Sequence, residues 1–233
     1  MKVRLIAIIT SLLFVLSAAQ ALALPTNTQV EFSVNGVSVA TTGIDSITGF
    51  GTRTFTFTAA GAYDVRSFFD LDLSLMTTGF FNEYGQTFNS VKAGQSWEID
   101  EPGYWIGDLH ANFKGTAGFD NTIGTIDVTT GNRITTAQQP DDVAVGMGWK
   151  FNLNPGKTAT LYFTASDAPA SSLFYIGQFE AYGANDSVYF TSDLKIESGG
   201  IGGGNPIPEP STLVLLGSAL TGLAVYVQRR RNG

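Results

Sequence analysis

The chain has 233 residues, with 20 acidic against 13 basic side chains, one histidine and no cysteine. A formal charge of −7 argues against binding to nucleic acid or to an anionic lipid surface. Without thiols there are no disulfides, thiolate zinc sites or cysteine nucleophiles, so stability has to come from core burial, helped at most by a bound ion.

Residues 1–23 are laid out as a secretory signal peptide. Lys2 and Arg4 open it, residues 5–16 are apolar apart from Thr10 and Ser11, and Ala21 and Ala23 frame an A-x-A cleavage site before Leu24. Ala19-Gln20-Ala21 offers a second cut. The layout predicts export.

The body, 24–197, is long enough for one domain with a real core and too short for two comfortable ones. Setting aside Lys2, Arg4 and the three tail arginines leaves eight basic residues. Setting aside Glu209 leaves 19 acidic ones, so the body is near −11. That suits solubility outside the cell, or cation-bridged contact with acidic polymers.

Period two dominates the body. Val30, Phe32 and Val34 come first, then Phe55 and Phe57, then Phe69, Leu71, Leu73 and Leu75. Trp105, Leu109 and Phe113 share a parity with Gly107 and Ala111. Val143, Val145, Met147, Trp149, Phe151 and Leu153 form the longest run. Ala159, Leu161 and Phe163 follow, and Val188, Phe190, Leu194 and Ile196 close the series. Asn35-Gly36, Ala60-Gly61, Ala93-Gly94, Pro102-Gly103, Gly131-Asn132 and Asn154-Pro155-Gly156 separate these runs as turns. No amphipathic helix of ten or more residues stands out. Around ten short strands predict an all-β fold, an antiparallel β-sandwich of jelly-roll or immunoglobulin-like type.

The body offers little catalytic chemistry. His110 falls on an outward parity beside Asp108, but no nucleophile motif accompanies the pair, and it reads as a surface histidine. Asp70 and Asp72 share an outward parity and read as a solvated strand face. Acidic residues in apparent loops are the better lead. Asp100 and Glu101 precede one turn, and Asp141 and Asp142 precede the longest strand; these four are weak candidates for a structural calcium against ordinary turn chemistry. Trp97, Trp105 and Trp149 fall at inward parity and read as core, whereas Tyr104, Tyr162 and Tyr189 fall outward and are candidates for stacking on a glycan. No catalytic residue is assigned, and no cofactor beyond a candidate structural calcium.

Residues 198–205 are a glycine-rich leash, and residues 206–233 are a three-part tail. Pro208-Glu209-Pro210 is rigid and cannot be helical at Glu209. Residues 213–227 are an uncharged run of 15, which as a helix spans roughly 22 Å, marginal for a membrane core of about 30 Å. Arg229, Arg230 and Arg231 follow and hold that end on the cytoplasmic side. Motif, helix and arginines in this order resemble a PEP-CTERM sorting tail, the substrate of exosortases. The resemblance implies a transient stay in the inner membrane, cleavage near Pro208-Glu209-Pro210 by an exosortase-like enzyme, and release to the cell envelope or extracellular matrix, often beside exopolysaccharide production. In the body, Pro140-Asp141-Asp142-Val143, Gly148-Trp149-Lys150-Phe151, residues 155–160 and residues 187–192 resemble a block of uncharacterised PEP-CTERM proteins, from which no site residue carries over. The expected role is structural or adhesive and non-enzymatic; the alternatives are a polysaccharide-binding module and, third, a glycan-active hydrolase.

Overall fold

The computed structural model describes residues 25–73, 81–103, 107–124, 140–182 and 186–198. The signal peptide with Ala21 and Ala23, the leash, and the tail with Pro208, Glu209, Pro210, Arg229, Arg230 and Arg231 lie outside the described residues, as do Tyr104 and Trp105. Among the described residues no helix is long and apolar enough to cross a membrane.

Eleven strands and one short helix make up the described body. They are β1 (Thr26–Val34), β2 (Val37–Val39), β3 (Gly51–Phe57), β4 (Gly61–Asp72), β5 (Glu83–Phe88), β6 (Gln95–Asp100), α1 (Leu109–Lys114), β7 (Thr122–Ile123), β8 (Ala144–Leu153), β9 (Lys157–Ser166), β10 (Tyr175–Glu180) and β11 (Ser187–Ser198). One sheet has the order β2-β1-β4-β8-β6-β7 and the other β3-β9-β11-β10-β5. Every pairing is antiparallel except β6 with β7, which is parallel, a departure from the wholly antiparallel expectation. Asn35-Gly36 makes the β1–β2 turn with φ of 51° and 76°, the left-handed pair that a two-residue hairpin loop requires.

The alternation read from the sequence fixes which face each strand buries. Phe32, Phe69, Val145, Met147 and Trp149 of one sheet meet Phe55, Leu161, Phe163, Ile176, Val188 and Phe190 of the other in a single core. Phe69 and Phe190 rings lie 5.1 Å apart across it, and Phe32 and Phe163 lie 5.9 Å apart. Trp97 is half-buried against this core, as its parity predicts.

Part of the outer face of the six-stranded sheet is covered. Residues 107–121 cross it and add a small second core, in which Leu109, Phe113 and Phe119 pack on Phe68 and Ala144. Gly146 makes the close approach possible, since a Cβ there would sit 2.5 Å from Phe119 Cε1 and 2.9 Å from Leu109 Cδ1. The segment around His110 is therefore a helix and not the strand that its parity suggested. Leu109 and Phe113 are four apart, a spacing that shares a helix face as readily as a strand face. His110 does not pair with Asp108 but places Nε2 2.9 Å from Glu31 Oε1, and Lys114 also reaches Glu31.

Candidate metal centre

Register lays side chains in ranks across this covered face. Glu31, Phe68, Gly146 and Glu98 form one rank, and Gln29, Asp70, Ala144 and Asp100 the next. Asp72 closes β4, and Asp142 lies two residues before β8. This end of the sheet is thus a band of carboxylates, drawn from strands far apart in sequence.

Asp70 and Asp72 were expected on a solvated face. Their outward direction is as predicted, but Asp70 is 2% exposed and Asp72 4% exposed, so that direction does not meet solvent. Glu98, Asp100 and Glu101 are buried as well. One carboxylate oxygen each from Asp70, Asp72 and Asp142 lie within 4.8 Å of one another, and so do oxygens of Glu98, Asp100 and Asp108.

The four calcium candidates read from the sequence are divided by the fold. Asp142 joins Asp70 and Asp72, while Asp100, the last residue of β6 and not a loop residue, joins Glu98 and Asp108. Asp141 exchanges backbone hydrogen bonds with Glu83, and Glu101 Oε2 accepts from Gly107 N at 2.7 Å. Glu98 was missed, although its alternation with Asp100 is the same signal that marked Asp70 and Asp72. Glu83 was missed too. It lies at the join of the two sheets, where its carboxylate accepts from Leu73 N and, at 2.5 Å, from Gln178 Nε2.

Burial and mutual repulsion raise Asp70, Asp142, Glu98, Asp100 and Glu83 above the usual carboxylate range. Desolvation, with the charges of Asp142 and Asp72, pushes Asp70 up to about 8. Desolvation, then Asp72, Glu101 and Asp141, raises Asp142 to about 7. Desolvation raises Glu98 to about 8 against a hydrogen bond from Asn112, with Asp108 and Asp120 adding to the rise. Desolvation also raises Asp100 to about 7, against hydrogen bonds from the Glu101 and Asp108 backbone and with help from the Asp108 carboxylate. Glu83 is raised by desolvation.

An acid raised in the folded state stabilises the fold below its unfolded value, and that stability is lost as pH climbs through the folded value. Glu98 and Asp100 therefore predict, in chelator, a higher melting temperature near pH 5 than near pH 8. Each tenfold change in an acidity constant corresponds to about 1.4 kcal/mol, so the rise on acidification should reach several degrees. A melt that is flat or falls on acidification over this range would contradict the burial of these groups.

Tyr162 and Tyr189, two of the tyrosine candidates, lie on the five-stranded sheet. Tyr162 is half-buried, with Lys195 Nζ 5.7 Å from its ring centroid. Tyr189 belongs to a cluster on the outer face of the five-stranded sheet, 5.9 Å from both Tyr175 and Phe179. Phe88 stacks on Tyr175 at 4.6 Å, and Tyr84 on Phe179 at 5.3 Å. The rings close over Gly177, where a Cβ would meet Phe179 Cζ at 2.4 Å. Sequence alternation marked Tyr189 alone, because its neighbours come from β5 and β10.

Residues 206–231 match the PEP-CTERM protein-sorting motif, which implies an exosortase-targeted, secreted protein. No curated protein and no solved structure matches the chain.

Proposed function

We propose that the chain is a non-enzymatic structural or adhesive protein of the cell envelope or exopolysaccharide matrix, exported by its first 23 residues and released by an exosortase-like enzyme after a transient stay in the membrane. The sorting motif carries this reading, because it is an address outside the cell. In this reading the body is a β-sandwich of jelly-roll or immunoglobulin-like type, supported by the six- and five-stranded sheets around one core. The strongly acidic composition supports weak, cation-bridged contact with acidic polymers in preference to turnover. Asp70, Asp72 and Glu98 are buried, whereas an open pocket lined by Asn35, Tyr63, Asp64, Lys150 and Phe151 lies towards the start of β4, away from Asp70 and Asp72.

In the native host, Glu209→Ala should leave an uncut, membrane-held form, while extracellular wild-type protein should lack Arg229, Arg230 and Arg231 by mass spectrometry. An intact C-terminus on the extracellular protein would sink the proposed release.

The aromatic cluster at Tyr189 favours a second reading, a polysaccharide-binding module. It predicts saturable, cation-independent binding of a defined glycan, abolished by Tyr189→Ala and untouched by Tyr162→Ala, because stacking area is lost only in the cluster. The structural reading predicts weak, divalent-dependent association that neither change alters. Isothermal titration of the host's matrix polysaccharide separates them, and reducing-sugar release would count against both.

A further inference from the structure

We propose that Asp70, Asp72 and Asp142 hold a calcium ion at the end of the six-stranded sheet. Acidic clusters are common, and proximity alone would not single this one out. The stronger observation is that Asp70 is 2% exposed and its Oδ2 has no hydrogen-bond donor. Oδ1 of Asp142 is also buried without a donor. A carboxylate oxygen shut away from water and from every donor is a costly arrangement that a cation would relieve.

Among the described residues, the ion pairs fall on Asp64, Asp193 and Glu31, and none reaches Asp70 or Asp142. The three ligand oxygens lie within 4.8 Å of one another, close enough for one calcium ion with oxygens at 2.3–2.6 Å to touch all three. All three are hard oxygen donors, there is no cysteine, and the one histidine is engaged with Glu31, so the donor set disfavours zinc or copper. Magnesium is smaller, demands a near-ideal octahedron at about 2.0–2.1 Å and gives up its water reluctantly, so a buried site of carboxylates favours calcium.

The neighbouring group of Glu98, Asp100 and Asp108 is the weaker site. Glu98 Oε2 is likewise buried without a donor, but Asp100 Oδ1 already accepts from Glu101 N at 2.7 Å, Glu98 Oε1 from Asn112 Nδ2 at 2.9 Å, and Asp108 is exposed. An ion at Asp70 would also have more to join. Asp70 and Asp72 lie on β4, Asp142 precedes β8, and the adjacent Asp141 bridges to Glu83 of the other sheet. Calcium here would clamp the entry of β8 to β4 at the point where the sheets meet.

The test uses the full-length chain in detergent, at matched ionic strength, in chelator, in millimolar calcium and in millimolar magnesium. Calcium should raise the wild-type melting temperature by about 3–8 °C over chelator, with a dissociation constant on the order of 10⁻⁴–10⁻³ M and one site by titration calorimetry. Asp70→Asn keeps the shape and removes the charge. It should abolish the calcium shift, yet melt in chelator close to the wild type, because the shape is kept. A merely structural aspartate would instead lower both melts. Asp142→Asn should lose the calorimetric site in the same way, and it serves where Asp70→Asn fails to fold. Glu98→Gln should retain both shift and site. No calcium shift in the wild type, an equal shift with magnesium, or loss of the site in Glu98→Gln but not in Asp142→Asn would each overturn the assignment.

Discussion

Trp149→Asp should leave the chain unfolded, or folded only marginally, at room temperature. β8 lies between β4 and β6 at the centre of its sheet, and Trp149 pairs with Val65 on one side and Gln95 on the other. Its side chain is 2% exposed in the shared core, and its Nε1 donates to Ser192 Oγ on β11 at 2.9 Å, tying the two sheets together. Truncating a buried tryptophan costs about 3–5 kcal/mol. A carboxylate in its place adds several more, because it is desolvated with no cation to meet it. Domains of this kind are stable by only about 5–15 kcal/mol in all. Trp149→Phe keeps most of the apolar area and loses the hydrogen bond, so it should fold and melt only modestly lower. Far-UV circular dichroism and urea titration of both variants check this, and a Trp149→Asp chain that melts like the wild type would put the sheet-to-sheet core in doubt.

That expectation was available from the sequence, because a strand with one buried face writes its orientation in every second residue. The run from Val143 to Leu153 and the run around Phe69 and Leu71 both landed as strands with the expected residues inward. The same rule misjudged Asp70 and Asp72. Parity says which way a side chain points, not whether that direction is covered, and on this face residues 107–121, remote in sequence, pack over the neighbouring Phe68 and Ala144. α1 itself was hidden because six residues carry too little periodicity to separate 3.6 from 2, and Leu109 with Phe113 satisfies both. The carboxylate band was only half legible for a related reason. Asp142 and Asp100 stood out as acidic loop-like pairs, but their partners Asp70, Asp72 and Glu98 join them through strand order and register, which a single sequence does not contain. The aromatic cluster around Gly177 was lost in the same way, since β5 and β10 meet only in the fold.

Arg66→Ala should detach the cover from this face while leaving the central core standing. Arg66 is 6% exposed, on the outward parity of β4, one rank from Phe68. Its Nη1 donates to the carbonyls of Asn112, Phe113 and Gly115 at 2.8, 3.2 and 2.6 Å, and the rest of the guanidinium grips Asp64. Those carbonyls sit at the C-terminal end of α1, where a helix has no partners of its own, and a six-residue helix is too short to persist alone. Arg66 thus acts as the cap that fastens α1 to the sheet. Removing it orphans three acceptors and leaves Asp64 with only Lys150, 3.7 Å away, a loss of about 3–5 kcal/mol if the cover stays docked. Undocking is the cheaper response, because it returns the carbonyls to water and gives up only the small second core. Amide hydrogen exchange should therefore rise steeply across 107–121 and little across β9 and β11, whose pairing does not involve this face. Arg66→Lys should fall between, since an ammonium keeps the charge and loses the planar fork that spans Asp64 and the helix end together. Undocking also uncovers Glu98 and Asp100, so the Arg66→Ala protein should lose part of the pH dependence predicted for the wild type. Unchanged exchange across 107–121 would show that α1 is held by Leu109, Phe113 and Phe119 alone.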